Sequence, residues 1–269
     1  MSTKLKIAAA VAAAVLLSAC SSPKHEPMPL VNFTPSMEVT EVWSKGLSSA
    51  EGFLVPAVYD DMVFAAGGKT LTRLNARTGE TEWSVSFDSP ITGGVGSDGY
   101  VTAVGLWDGN LEVVDAEGKV SWEKKLTTEL ASPPVVSHGL VIARTMDTRV
   151  SAFEASSGEL QWTYQKSQPA LTVRLPTRML AHDNFLLVGQ PNGHIVILDI
   201  ASGKPVFEFQ VAQAKGVTEV ERLVDVVGAP AFSENLVCAA AFQGAVTCVD
   251  STNGQTKWTQ KIDAVAGPA

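Results

Sequence analysis

Short apolar runs recur along the chain, each broken by a polar turn, with no helical pattern between them. The best-marked unit is a strand, a glycine turn and an aromatic. It reads Leu71-Thr-Arg-Leu74-Asn-Ala-Arg-Thr-Gly79 and then Trp83. It returns as Leu111-Glu-Val-Val114-Asp-Ala-Glu-Gly118 with Trp122, and as Val150-Ser-Ala-Phe153-Glu-Ala-Ser-Ser-Gly158 with Trp162. A fourth copy is Ile195-Val-Ile-Leu198-Asp-Ile-Ala-Ser-Gly203 with Phe207, and a fifth is Val246-Thr-Cys-Val249-Asp-Ser-Thr-Asn-Gly254 with Trp258. The aromatic stands four residues after the glycine in every copy, and successive glycines are 39, 40, 45 and 51 residues apart.

The turn residues explain themselves. Asn75, Asp115, Asp199 and Asp250 fold their side chains onto nearby backbone donors, and glycine takes the positive φ that a short hairpin demands. Glu154 is the weak copy of the acid. Five aromatics at one height predict packing between neighbouring sheets. Two earlier strands precede each marked unit. In the third copy they are Pro134-Val-Val136 and Leu140-Val-Ile-Ala143, with turns at Ser137-His138-Gly139 and Asp147-Thr-Arg149. The other first turns fall at Asp60-Asp61, Ser97-Asp98-Gly99, Asp183-Asn184 and Glu234-Asn235, and the second turns at Gly68, Gly109, Gly193 and Gly244. Four short antiparallel strands per forty or so residues predict an all-β fold, a β-propeller of four-stranded blades. Five blades are present. Val42-Trp43-Ser44, 40 residues ahead of Trp83, reads as a lone fourth strand without its own blade. The expectation is an open arc from a C-terminally truncated propeller over residues 39–269.

The first 38 residues follow other rules. Lys4 and Lys6 precede an unbroken apolar run of eleven residues from Ile7 to Leu17, which ends in Leu17-Ser18-Ala19-Cys20. The run is too short to span a bilayer and suits an export signal. The small residues ahead of the cysteine resemble a lipoprotein cleavage box. Residues 1–19 are then a signal peptide and Cys20 carries acyl chains such as palmitate. Three chains on one residue hold a membrane stably. Ser21 after the cysteine resembles default sorting to the outer membrane. Pro23, Pro27, Pro29 and Pro35 make residues 20–38 an extended tether.

Charge narrows the partners. The chain is formally −8, and without Lys4 and Lys6 it holds 18 basic against 28 acidic residues, or −10. Such a body repels nucleic acid and anionic headgroups, so the lipid anchor is the expected membrane contact. No catalytic or metal site is predicted. His25 lies in the tether, and His138, His182 and His194 fall at predicted turns, none at metal-ligand spacing. Gly93-Gly94-Val95-Gly96 lacks the following helix that a phosphate cradle needs. Cys238 and Cys248, ten residues apart, face each other across the hairpin at Phe242-Gln243-Gly244 as a disulfide or as two buried thiols.

The repeat Asp-Ala-x-x-Gly-x-x-x-Trp resembles the blade motif shared by pyrroloquinoline-quinone dehydrogenases and their non-enzymatic relatives. With the lipobox and the tether, the chain resembles the BamB family, lipoproteins of the β-barrel assembly machinery. That resemblance covers essentially the whole chain. It implies eight blades in a complete propeller and a non-enzymatic scaffold that faces the periplasm from the outer membrane. It also implies binding to the periplasmic domains of BamA, assistance to unfolded outer-membrane protein clients, and no cofactor. A quinoprotein-like dehydrogenase or ligand-binding propeller is the alternative. It would need a calcium site, a catalytic Asp and adjacent cysteines, which this sequence does not offer. The two long glycine spacings place extra residues after Trp162 and after Phe207, in consecutive blades. The family's contact pattern Leu-x-Leu-Arg matches at Leu171, Val173 and Arg174. Its pattern Arg-Leu-x-Asp-x-Asp matches at Arg222, Leu223 and Asp225, with Val227 in place of the last acid. Leu171 and Val173 are expected to give apolar area, and Arg174 and Asp225 to bond the partner or each other.

Overall fold

The computed structural model describes Asn32, Thr34 and residues 36–48, 54–167 and 169–268. The export signal, Cys20 and most of the proline-rich tether lie outside these residues. The chain divides into two compact units, residues 1–41 and 42–269. In the shorter one the described residues carry no helix or strand.

Among its described residues the longer unit has twenty strands in five antiparallel four-stranded sheets, each in sequence order. The first blade is β1 (Ala57–Tyr59), β2 (Met62–Gly67), β3 (Thr70–Asn75) and β4 (Thr81–Ser86). The second is β5 (Ile91–Ser97), β6 (Thr102–Leu106), β7 (Asn110–Val114) and β8 (Val120–Lys125). The third is β9 (Val135–Ser137), β10 (Leu140–Arg144), β11 (Val150–Glu154) and β12 (Leu160–Tyr164). The fourth is β13 (Leu180–His182), β14 (Phe185–Gly189), β15 (His194–Asp199) and β16 (Pro205–Gln210). The fifth is β17 (Val226–Ser233), β18 (Leu236–Ala241), β19 (Gly244–Asp250) and β20 (Thr256–Ile262). The all-β, blade-by-blade architecture is the one the repeats predict.

The core lies between blades. Phe64 and Leu71 of the first blade pack on Ile91, Val104 and Leu106 of the second. Leu111 and Val113 then meet Val141 and Phe153, and Ile142 and Trp162 meet Leu186 and Val196. Leu187, Ile195 and Phe209 meet Val237, Ala239 and Val249. Middle strands are covered on both faces, which is why they read as apolar runs and not as alternation.

One joint repeats at each boundary. The Trp83 ring lies over Gly118 of the next blade, Trp122 over Gly158, Trp162 over Gly203 and Phe207 over Gly254. A Cβ on these glycines would sit 2.4 to 2.8 Å from the ring. Their φ angles are +67° to +82°. Each indole also donates a hydrogen bond to a carbonyl in that blade, to Ala116, Ala155 or Ile200, at 2.8 or 2.9 Å. Trp43 does the same to the first blade, over Gly79 and onto Ala76 at 2.9 Å. The sequence predicts a strand around Trp43, but the segment pairs with no sheet. Its described contacts with the first blade are the ring on Gly79, the indole bond, and Leu47 and Ser48 against Gly67.

Register settles what spacing leaves open. Cys238 stands directly opposite Cys248 on β18 and β19, and the two are disulfide-bonded. Closing a loop of about ten residues contributes roughly 3 kcal/mol in a chain-entropy account. In the fifth blade the second turn is made by Gln243 at φ +48°, with Gly244 already in β19, so the predicted glycine turn is displaced by one residue. His182 and His194 end β13 and begin β15 and are not in turns proper. The glycine run 93–96 lies in a bulged β5, where added side chains would strike Leu130, Pro133 and Pro134. It permits close packing of two blades.

Register also reveals an acid pair. At one position of the third and fourth strands, three blades oppose two hydroxyls: Thr72 to Ser84, Ser151 to Thr163 and Thr247 to Thr259, at 3.0, 3.3 and 3.0 Å. The fourth blade opposes Val196 to Glu208, and the second opposes Glu112 to Glu123. Glu112 is buried, and burial together with the neighbouring Glu123 carboxylate pushes its pKa up to about 7. Two carboxyls there take the place of a hydroxyl pair, and burial beside Glu123 favours the protonated form of Glu112.

Candidate functional site

Strand order fixes where the long connections emerge. In each blade the turn between second and third strands and the link to the next blade lie at one end, and the aromatic–glycine joints lie at the other. The links after β12 and β16 therefore leave from the same end of adjacent blades.

Backbone bonds tie the link after β12 to the irregular start of β17, into which the link after β16 runs. Gly228 N–H donates to Pro176 O at 2.8 Å, and Arg178 N–H donates to Gly228 O at 2.9 Å. Thr177 and Gly228 form a parallel bridge. Gly228 takes φ +67°, and a side chain there would strike the Gly267 backbone. Val226 N–H donates to Gln190 O at 3.1 Å.

Within this frame Leu171 is 42% exposed, Arg174 is exposed and Val173 is half-buried. Asp225 is only 5% exposed. Its Oδ2 accepts the Val173 N–H at 2.5 Å and not the Arg174 guanidinium. The sequence pairs Asp225 with Arg174 or with a partner. Buried beneath the loop, it instead holds the backbone of the segment that displays both. Burial raises the Asp225 carboxyl to about 6, against the Val173 amide and the Arg144 charge, which favour ionisation. Val227 is buried beside Ala240, Ala264 and Leu175, so an acid at that position would be desolvated.

Arg222 and Leu223 belong to a separate turn. Arg222 is exposed and pairs with Glu219 at 3.8 Å, and Leu223 is half-buried with its N–H on Val220 O at 3.3 Å. Glu221 closes the same turn by accepting the Val217 and Thr218 N–H groups at 2.9 and 3.0 Å. These bonds hold the Glu221 carboxyl below the usual carboxylate range. Val217 at 95% exposure stands at its tip. Leu171, Val173, Arg174 and Asp225 are brought together; Arg222 and Leu223 flank them in the second link.

A cavity of about 400 Å³ opens beside the laced segment, lined in part by Ser132, Arg144, Thr177, Arg178 and Asp225. Arg144 is almost wholly buried there. Sequence inspection misses it, because its oddity shows only against the matching residues of the other blades once register is known. Among the described residues no cluster of His, Cys, Asp and Glu suits a metal ion.

The family model described as outer membrane protein assembly factor BamB matches residues 67–269. The Burkholderia pseudomallei outer membrane protein assembly factor BamB is 38% identical over 267 residues, 97% of this chain and 70% of that protein. The Bordetella pertussis protein of the same name is 34% identical, over 93% of this chain and 67% of that one. The chain thus spans about two thirds of these relatives' length. Among solved structures, Moraxella catarrhalis BamB superposes with a TM-score of 0.73 at 28% identity, covering 79% of this chain and 65% of that one. Quinohemoprotein alcohol dehydrogenase from Comamonas testosteroni reaches a TM-score of 0.60 at 18% identity, over 81% of this chain and 44% of that one, a likeness of fold alone.

Proposed function

This chain belongs to the outer membrane protein assembly factor BamB family, and we propose that it is a non-enzymatic scaffold for assembling outer-membrane β-barrel proteins. Its relatives carry the name of an assembly factor and not of an enzyme. In this proposal Cys20 is lipidated, the anchor sits in the outer membrane, and the propeller faces the periplasm. The laced links then dock on the periplasmic domains of BamA, and unfolded outer-membrane proteins are the clients.

The observation that carries the docking role is the lacing itself. Two links from consecutive blades are bonded through Val173 and Asp225 into one ledge with Leu171 and Arg174 exposed. A fixed ledge loses little entropy on binding. Leu171 and Val173 offer apolar area at about 25 cal/mol per Å², and Arg174 offers charge-assisted bonds to a carboxylate or carbonyl. Asp225 contributes by holding the ledge.

Capture of BamA tests this. Leu171→Asp and Arg174→Ala are each expected to cost on the order of 2 kcal/mol, about thirtyfold in affinity. The exposed Lys257→Ala on the last outer strand should cost nothing. If folded loop variants retain BamA as well as the Lys257 control, the docking role is wrong. Lipidation has its own check in metabolic palmitate labelling. Cys20→Ala should abolish the label, and a labelled variant would place the acyl chain elsewhere.

A further inference from the structure

At the end of the second strand, where it pairs with the start of the third, four blades have only Ala66, Gly105, Gly189 and Ala240. The third blade has Arg144 there, paired with Val150. At Gly105 and Gly189 the room for a side chain is filled by Leu130 and Val226 from the next blade. In the third blade the space holds a guanidinium.

That guanidinium is 6% exposed and lines the cavity beside the laced links. Among the described residues it makes one hydrogen bond, to the Thr177 hydroxyl at 3.4 Å, and its Nε has no partner. Ser132, 3% exposed on the same cavity, also has an unpartnered hydroxyl. Burial lowers the Arg144 pKa to about 10, so the charge persists at neutral pH. Arg174 and Arg178 line the cavity too, against the single lining acid Asp225. Its Oδ2 is bonded to Val173, its Oδ1 has no partner among the described residues, and its charge offsets that of Arg144 without hydrogen-bonding it. A buried charge with one long hydrogen bond is costly and calls for an anion. A planar guanidinium beside two hydroxyls matches a carboxylate.

We infer that this cavity is a carboxylate-binding site, with Arg144 as the charge partner and Thr177 and Ser132 as flanking donors. The carboxylate comes either from a small organic acid or from an acidic side chain of a bound polypeptide. The site goes beyond the docking role and does not depend on it.

Calorimetric titration at fixed ionic strength tests the site with four probes: succinate, succinamide, an extended glutamate-containing peptide and its glutamine counterpart. Either carboxylate should bind, and both amides should bind at least about tenfold more weakly. Succinate alone identifies a free acid; a peptide at least about tenfold tighter than succinate identifies a side chain. Arg144→Met should abolish binding; because it also removes the cation that favours ionisation of buried Asp225, its melting temperature is measured in parallel and only folded protein is titrated. Thr177→Val provides a second, milder variant, expected to bind severalfold more weakly. Leu171→Asp should leave the titration unchanged, which separates this site from BamA docking. Failure of both carboxylates to bind at ~10 mM, or unchanged binding by folded Arg144→Met, overturns the inference.

Discussion

Gly203→Ala is expected to destabilise the propeller by about 3–5 kcal/mol, far more than Gly139→Ala, at about 1–2 kcal/mol. Both glycines have positive φ, +67° and +72°. Both substitutions therefore meet the same left-handed backbone penalty. Around Gly139 nothing lies within 4 Å of an added Cβ, whereas at Gly203 it would stand 2.4 Å from the Trp162 ring. That ring is 9% exposed and its indole is bonded to Ile200 O at 2.8 Å. It cannot retreat without opening the boundary between the third and fourth blades. Denaturant unfolding of the two variants isolates the clash from the backbone strain. Equal destabilisation would mean that the aromatic–glycine joint is not a principal source of cohesion.

Glu112→Gln is expected to stabilise the protein above neutral pH and to change little near pH 4.5. The Glu112 carboxyl sits at about 7 in the fold against an ordinary 4.5. Below 4.5 it is protonated whether folded or unfolded, and its contribution is neutral. As pH rises through the window from 4.5 to 7, the unfolded chain releases the proton and the fold keeps it, so stability falls. The penalty is then roughly 2–4 kcal/mol and level above pH 7. Asp88, Asp108 and Glu123 all act on Glu112 in the same direction. Lys69 and Lys125 bond to backbone carbonyls, of Asp88 and Asp108. Glutamine keeps the shape and donates to Glu123 at every pH. Melting curves from pH 4.5 to 8.5 should diverge as pH rises, with the variant higher. Parallel curves would show that the fold does not raise the Glu112 carboxyl. Asp225 titrates in both proteins and cancels in the difference.

Much of the fold is legible in the sequence because each blade spells its own turn chemistry. Asn75, Asp115, Asp199 and Asp250 cap their turns, glycine supplies the positive φ, and the aromatic follows at fixed distance. All of these are local signals. What resists sequence inspection depends on register or on long-range contact. Glu112 meets Glu123, and Cys238 meets Cys248, only once strands are aligned. The same holds for Arg144, an unremarkable basic residue after an apolar run until its counterparts prove to be Ala and Gly. The two links are identifiable by length, but the bond from Val173 to Asp225 spans 52 residues and leaves no mark on spacing. Trp43, read as a lone fourth strand without its own blade, pairs with no sheet among the described residues. Its spacing from Trp83 fits a strand, yet what the spacing encodes is the ring's seat on Gly79.

The aromatic–glycine joints stand at one end of the blades and the laced links at the other, and this separation insulates change from cohesion. A link can lengthen by several residues, as the glycine spacings of 45 and 51 show against 39 and 40, without moving any ring from its seat. The seats are all made by nearest neighbours, so the body behaves as a one-dimensional array in which each blade draws stability from the two beside it. Lengthening the exposed stretches of these links therefore leaves the seats in place, while a single altered seat is felt by two blades at once.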